Sequence, residues 1–432
     1  MAQASIVLIG AGSASFGRGT VADVLANDGL RKHDVTLWLV DTDAAALERS
    51  MRVAELIRTY RGSDLTLRAT TDRCEALPGA HTVITSVATR RMELWEQDFR
   101  VPLSYGFKHC LGENGGPGAL FHALRSYQLI LPICRDVERL CPDAVVLNFT
   151  NPESRVLMAM CHLTRVRAAG LCHGVLMARN DAARFLGRDL ADLDIVTGGL
   201  NHFFWILSIR DHATGDDLYP LLRERVARHA SPLVRKLTEI YDLLIFPSDD
   251  HVGEYLAFAT EFTGLQWPYG RERQAVGARD EPPPADWLEP YLAGDEPPDE
   301  RLARPGGEIA VDIGADILDD TGRWEPTVNV LNDGAYVANL PREAVVEVPA
   351  IVDAAGIHPQ AVGPLPEALA AFCRTQISIQ LLLLEAYRTR SRKHLLQALL
   401  LDPCVESVER AETMLDHMLE LQKDYLPAFG PA

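Results

Sequence analysis

Two periodicities alternate along the first 170 residues. Short, nearly continuous apolar runs recur at "SIVLIG" (5–10), "DVTLWLVD" (Asp34–Asp41), "LTLRATTD" (65–72), "HTVITSV" (81–87) and "AVVLNFTNP" (144–152). Such runs read as strands buried on both faces. Between them, "TVADVLAND" (Thr20–Asp28), "DAAALERSMRVAELIRTY" (Asp43–Tyr60) and "LRSYQLILPICRDVERLCP" (124–142) carry helical spacing. Strands alternating with helices predict an α/β fold with a doubly wound parallel sheet of Rossmann type. After about residue 200 the regularity breaks. "HFFWILSIRD" (202–211) predicts a strand in a different sheet, and the Pro- and acid-rich stretch Ala278–Gly307 predicts a loop. Residues 367–425 predict two or three long helices with no breaker before "LDPC" (401–404). The expected division is an N-terminal Rossmann domain, 1–195, and a C-terminal α+β domain, 196–432.

Composition narrows the class. The formal net charge of -18 over 432 residues argues against a nucleic-acid partner. No run of about 18 apolar residues predicts a membrane span. "MAQASIVLIGAGS" has no basic leader and ends in glycines, so it reads as a strand rather than a signal peptide. The eight cysteines form no CxxC pair. Together these predict a cytoplasmic enzyme with reduced thiols.

"GAGSASFG" (Gly10–Gly17) follows a strand and opens a helix. Gly10 permits the tight turn, and Gly12 lets a pyrophosphate approach backbone N–H groups at the helix N-terminus. Ser15 stands where the fingerprint places its third glycine. Asp41 closes the second strand, where a carboxylate can hold a ribose 2′-hydroxyl and favour NAD over NADP.

A second motif pair lies downstream, "GLCHGVLMARN" (Gly170–Asn180) and "GLNHFFW" (Gly199–Trp205). Cys172 and His202 each follow a short strand-like run, and a thiolate and an imidazole could share one metal ion. On spacing alone they read more readily as a buried thiol and a core or loop histidine, because no standard zinc signature spaces two ligands this way.

These pieces combine into a resemblance. "GAGSASFG", "GENGGPGAL" (Gly112–Leu120), "NFTNPE" (Asn148–Glu153), "GLCHG", "GLNHFFW" and "NLPREAVVEVP" (Asn339–Pro349) resemble glycoside hydrolase family 4, the NAD- and metal-dependent glycosidases, from residue 5 to about 390. The resemblance implies a lactate-dehydrogenase-like architecture. It also implies a reaction outside the two-carboxylate scheme: oxidation at sugar C3, elimination across C1–C2, addition of water, and reduction. The implied cofactors are NAD+ and a divalent metal, Mn2+. Gly10, Gly12, Ser13, Phe16, Asp41 and Asn148 are the implied cofactor contacts, and Cys172 and His202 the metal ligands. Asn151 is implied to touch the sugar hydroxyls and the nicotinamide region, with Glu113 also at the substrate; without the family, Asn151 reads as a turn former before Pro152. The C2 base falls in "IFPSDDHVGEY" (Ile245–Tyr255), with Asp250 first and Asp249 second, and either acid could instead cap a helix.

The tetrapeptide that begins at the metal cysteine, "CHGV" (172–175), tracks substrate in the resembling family. His173 there points to a non-phosphorylated α-glycoside, and Gly174 is similar to uronate-acting members, the α-glucuronidases and α-galacturonases. A uronate carboxylate would call for Arg91 or Arg90. α-Glucosidase or α-galactosidase is the near alternative. A metal-free 2-hydroxyacid dehydrogenase and a non-catalytic NAD-binding protein are further alternatives, against which Cys172 and His202 argue. A homodimer or homotetramer is expected by analogy.

Overall fold

A computed structural model describes residues 3–13, 16–267 and 287–430. Ser15 and the first part of the Pro-rich stretch, to residue 286, lie outside these. Six parallel strands, β1 (Gln3–Ile9), β2 (Asp34–Val40), β3 (Thr66–Thr70), β4 (Thr82–Thr85), β5 (Val145–Asn148) and β6 (Arg167–Gly170), line up in the order β3-β2-β1-β4-β5-β6. This is the predicted doubly wound half. Both faces are covered, as the unbroken apolar runs require: Ile6 and Leu8 enter one core, Val7 and Ile9 the other.

The strand "HFFWILSIRD" is not in a separate sheet. β7 (Leu193–Leu200), β8 (Phe203–Asp211), β9 (Arg323–Leu331), β10 (Val345–Asp353) and β11 (Gly356–Pro359) extend the same sheet, in the order β6-β9-β10-β7-β8 with β11 paired to β10. The junctions are antiparallel and narrow, Gly170 opposite Asn329 and Glu347 opposite Gly199. Apolar periodicity reports that a strand is buried and leaves its partner open, so this continuity was invisible in the sequence.

Register then sets the site. One transverse row runs Thr85, Asn148, Gly170, Asn329, Glu347, Gly199, Phe204. The turns after β4, β5 and β6 therefore leave the sheet along one edge, where doubly wound sheets bind ligands, while β7, antiparallel to β6, reaches the same row from the opposite direction. Gly170 belongs in that row because a Cβ there would overlap the Glu153 carboxyl oxygen, 1.4 Å away.

The Pro-rich stretch is not all loop. Within its described part, Glu289–Ala293 is helical, and Tyr291, Leu302 and Ala303 are buried. Arg18 donates to the Leu302 and Arg304 carbonyls at 2.9 and 2.8 Å, tying this strap to the cofactor-side helix Gly17–Ala26. The C-terminal helices are three, Glu367–Thr389, Arg392–Leu401 and Val408–Leu421. The first break comes before "LDPC", at Arg390 in the left-handed region (φ 57°), with Ser391 capping the next helix. Glu367–Thr389 is long and apolar enough to cross a membrane, yet its buried face, including Leu369, Cys373, Ile377 and Leu383, packs in the protein core.

Glu347 lies in the middle of the transverse row, fully buried, with Thr327 Oγ1 donating to it at 2.8 Å. Burial pushes its carboxyl up to about 8. The folded state thus holds the proton more tightly than the unfolded chain does. That contribution is complete below the unfolded carboxyl's range near pH 4.5 and is lost as pH rises toward 8, by about 1.4 kcal/mol per pH unit. Glu347→Gln is expected to flatten this decline, and urea unfolding at pH 6 and pH 8 measures it; parallel losses in both proteins would assign the pH dependence elsewhere.

Candidate active site

A cleft of about 700 Å³ opens along the carboxyl ends of β1, β2, β4 and β5. Gly10, Gly12, Ser13, Phe16 and Asp41 line it, as do Arg91, His122 and Asn151. Gly10 takes φ +93°, and a Cβ there would meet the Ser86 carbonyl oxygen at 2.0 Å. Asp41 is partly engaged: Oδ2 accepts from Gly12 N (2.8 Å) and Oδ1 from Asp43 N (3.0 Å), which pins the glycine loop to the end of β2. Each oxygen keeps a second lone pair for a ribose hydroxyl.

The fingerprint did not lose its third glycine. Gly17 does that work two residues later: a Cβ on it would sit 2.2 Å from the Ala11 carbonyl oxygen. This close approach of the helix to the glycine turn parallels the tight packing the third glycine serves. Gly17→Ala is expected to cost about 1–3 kcal/mol by overpacking, and to weaken NAD+ binding measured by protein fluorescence quenching. Unchanged stability and affinity would remove Gly17 from the fingerprint.

Asn148 does not reach the cleft. Its side chain is sealed at the end of β5, accepting from Thr85 Oγ1 and Thr150 N and donating to the Thr150 carbonyl. Its neighbours Phe149 and Thr150 line the cleft instead, and Phe149 stacks on Phe16 at 5.0 Å.

The metal-ligand candidates meet. Cys172 Sγ lies 3.3 Å from His202 Nε2, across thirty residues of sequence. Cys172 follows β6 and sits just before the helix Gly174–Leu186, whose Gly174 N–H donates to its sulfur. His202 is the second residue of the two-residue turn Asn201–His202 between β7 and β8, held at φ +60°. A non-glycine residue in that region is uncommon and marks a backbone over-determined by its surroundings. Burial holds the His202 imidazole well below its ordinary value, in the neutral form that a ligand needs; the same burial holds the Cys172 thiol above its ordinary value, so a cation binding there would have to displace its proton. Among the described residues no group of three or more His, Cys, Asp or Glu forms a closed metal cage. The pair therefore suits an open metal position whose other ligands are substrate oxygens and water.

A second group assembles around Glu113. Glu113 Oε1 accepts from Arg91 Nη2 at 3.0 Å and from Asn151 Nδ2 at 3.2 Å. Arg90 is not part of it. It turns outward to Glu93 and Tyr425 and is largely exposed. His173 is half-exposed, with Nδ1 3.2 Å from Glu308 Oε1.

The two acids part company. Asp249 caps the helix Pro232–Tyr241 from a distance, accepting from Ser231 Oγ, Leu233 N and Val234 N. Those three bonds give it the capping role. Asp250 accepts from His251 Nδ1 at 2.9 Å, and the His251 ring lies 4.7 Å from that of His202. Asp250 therefore reaches the metal pair through His251.

The next acid in that segment, Glu254, carries little signal in the sequence. Buried Glu254 accepts from the N–H groups of Glu113 and Asn114, and Tyr255 donates to the Asn201 carbonyl at 3.2 Å. Adjacent residues thus hold the Glu113 loop and the His202 turn. The one sequence cue is Gly115, where a Cβ would sit 2.6 Å from the Glu254 carbonyl oxygen.

A dinucleotide-type cleft together with a Cys–His pair departs from a metal-free dehydrogenase, and comparison with known proteins supplies the class. Residues 5–188 match the family 4 glycosyl hydrolase model and residues 197–405 its C-terminal domain model. The chain belongs to glycoside hydrolase family 4. It is 31% identical to an alpha-glucosidase of Erwinia rhapontici, over 98% of each chain. It is 30% identical to an alpha-galactosidase of Bacillus subtilis, over 98% of this chain and 99% of that one. A 6-phospho-alpha-glucosidase from gut microorganisms, solved with NAD and Mn2+, shares the fold with a TM-score of 0.83 at 22% identity, covering 99% of this chain and all of the other.

Proposed function

We propose that the protein hydrolyses α-glycosides of neutral hexoses, glucose or galactose, using NAD+ and a divalent cation such as Mn2+. The observation that carries the choice of sugar is the Arg91–Glu113 contact. The guanidinium expected to receive a uronate carboxylate already has its charge offset by a buried carboxylate 3.0 Å away, and Arg90 faces outward. An anionic sugar would have to displace Glu113 or sit against it. The relatives at 30–31% identity, named alpha-glucosidase and alpha-galactosidase, support the same reading over the uronate expectation.

When bound, NAD+ supplies reversible hydride acceptance from a sugar carbon, and the cation stabilises negative charge on sugar oxygens. The chain's own groups do the rest. Gly10, Gly12 and the N-terminus of Gly17–Ala26 would cradle the pyrophosphate, and Asp41 the ribose. Cys172 and His202 would hold the cation. Asn151, fixed by Glu113, would orient the sugar hydroxyls between cation and cofactor. Asp250 is the favoured C2 base, because its bond to His251 brings it toward the Cys172–His202 pair while Asp249 caps a helix.

The test is release of p-nitrophenol from α-glucoside, α-galactoside, α-glucuronide and α-galacturonide, with and without NAD+ and Mn2+ under reducing conditions. Cleavage of a neutral hexoside that needs both additions is expected. Preference for a uronide would restore the anionic reading. Metal-independent oxidation of a hydroxy acid would return the protein to the dehydrogenases.

A further inference from the structure

One buried, cleft-lining side chain has no role in the assignments above. His122 stands in the first turn and a half of the helix Gly118–Leu140, 9% exposed, on the wall that also carries Arg91 and Asn151. Its Nδ1 lies 3.0 Å from the Glu113 backbone carbonyl. A carbonyl only accepts, so Nδ1 carries the proton and Nε2 presents a lone pair. Burial, with Arg125 and Arg91 nearby, drives the ring well below its ordinary value and keeps it neutral. Among the described residues no hydrogen bond is made to Nε2, and that atom is not sealed from solvent.

The geometry points to His122 as a specificity residue whose Nε2 accepts a hydrogen bond from a hydroxyl of the bound sugar. This deepens the neutral-hexoside reading and rests on it. The same Glu113 residue fixes His122 through its backbone carbonyl and Asn151 and Arg91 through its carboxylate. One loop residue thus sets an acceptor, His122 Nε2, beside two donors. A hydroxyl can satisfy both kinds of group. A carboxylate or phosphate has no proton to give the acceptor and would face its lone pair, so the same atom that reads a hydroxyl disfavours an anionic substituent. The carboxamide of nicotinamide could also donate to Nε2, and the experiment separates the two donors.

His122→Phe and His122→Gln would be compared with the parent, with far-UV circular dichroism and thermal unfolding as folding controls. For each, KM and kcat for p-nitrophenyl α-glucoside and α-galactoside would be measured with NAD+ and Mn2+, and NAD+ affinity by fluorescence quenching without sugar. The expected result for His122→Phe is a rise in KM of about tenfold or more, the size of one lost hydrogen bond, with NAD+ affinity held within about threefold. His122→Gln, which restores an acceptor oxygen, is expected to fall between Phe and the parent. Unchanged KM in both variants would overturn the inference while leaving the proposed function intact. A loss of NAD+ affinity matching the rise in KM would move His122 to the nicotinamide and overturn the sugar contact. No turnover of either neutral hexoside by the parent would overturn both readings together.

Discussion

Cys172→Ser is expected to lower kcat/KM by about a thousandfold or more, while NAD+ binds within about twofold of the parent affinity. The size follows from the cation's share of the chemistry: a Lewis acid at a sugar oxygen is worth several kcal/mol, and each 1.36 kcal/mol is tenfold in rate. Cys172 and His202 are the two side chains proposed to hold the cation, 3.3 Å apart, so losing the sulfur leaves one protein ligand. NAD+ binding is spared because Cys172 does not line the cofactor cleft. Steady-state kinetics with and without EDTA, beside fluorescence titration of NAD+, make the check. Full activity of the serine variant after metal removal would take Cys172 out of the ligand set.

The largest loss of stability is expected from Arg125→Met, about 3–5 kcal/mol in urea unfolding. Arg125 and Asp98 form a bidentate pair, Nη1–Oδ1 at 3.0 Å and Nη2–Oδ2 at 2.5 Å, with side-chain exposures of 5% and 0%. Gln422 donates to Asp98 and accepts from Arg125, so the cluster joins helix Arg91–Ser104, helix Gly118–Leu140 and the end of the C-terminal helix Val408–Leu421. Methionine matches the stem but leaves a buried carboxylate with Gln422 alone. The double variant Asp98→Leu/Arg125→Met removes both charges and is expected to recover most of the loss, because the cost lies in the uncompensated charge. Equal destabilisation of single and double variants would assign the effect to packing.

What the sequence made legible follows from the range of each signal. The parallel half was readable because strand, turn and helix signals are local and repeat. The Cys172–His202 contact was not readable from spacing, since it depends on the row that sets Gly170 and Gly199 on one line through β9 and β10. Only the resemblance to a family supplied it. Arg90 and Arg91 are indistinguishable as sequence, yet the left-handed Arg90 before the helix sends one outward and the other to Glu113. Asp249 and Asp250 separate for the same reason: the helix they sit near in space, Pro232–Tyr241, takes the first as its cap. Gly17 is hidden to a motif of fixed spacing, although the physical criterion, close approach to backbone, is met two positions later.

The single sheet has a consequence for motion. Enzymes made of two lobes often assemble their sites by swinging one lobe against the other, and then the ordering of the catalytic groups is charged to each turnover. Here the turn bearing His202 and the turn bearing Cys172 leave one hydrogen-bonded lattice that runs through both halves. Their separation is fixed when the chain folds. Loading with a cation should therefore resemble filling a rigid socket, with little change in hydrogen exchange across β6, β9, β10 and β7, and the adjustments that admit a sugar should be confined to side chains and loops at the sheet's edge.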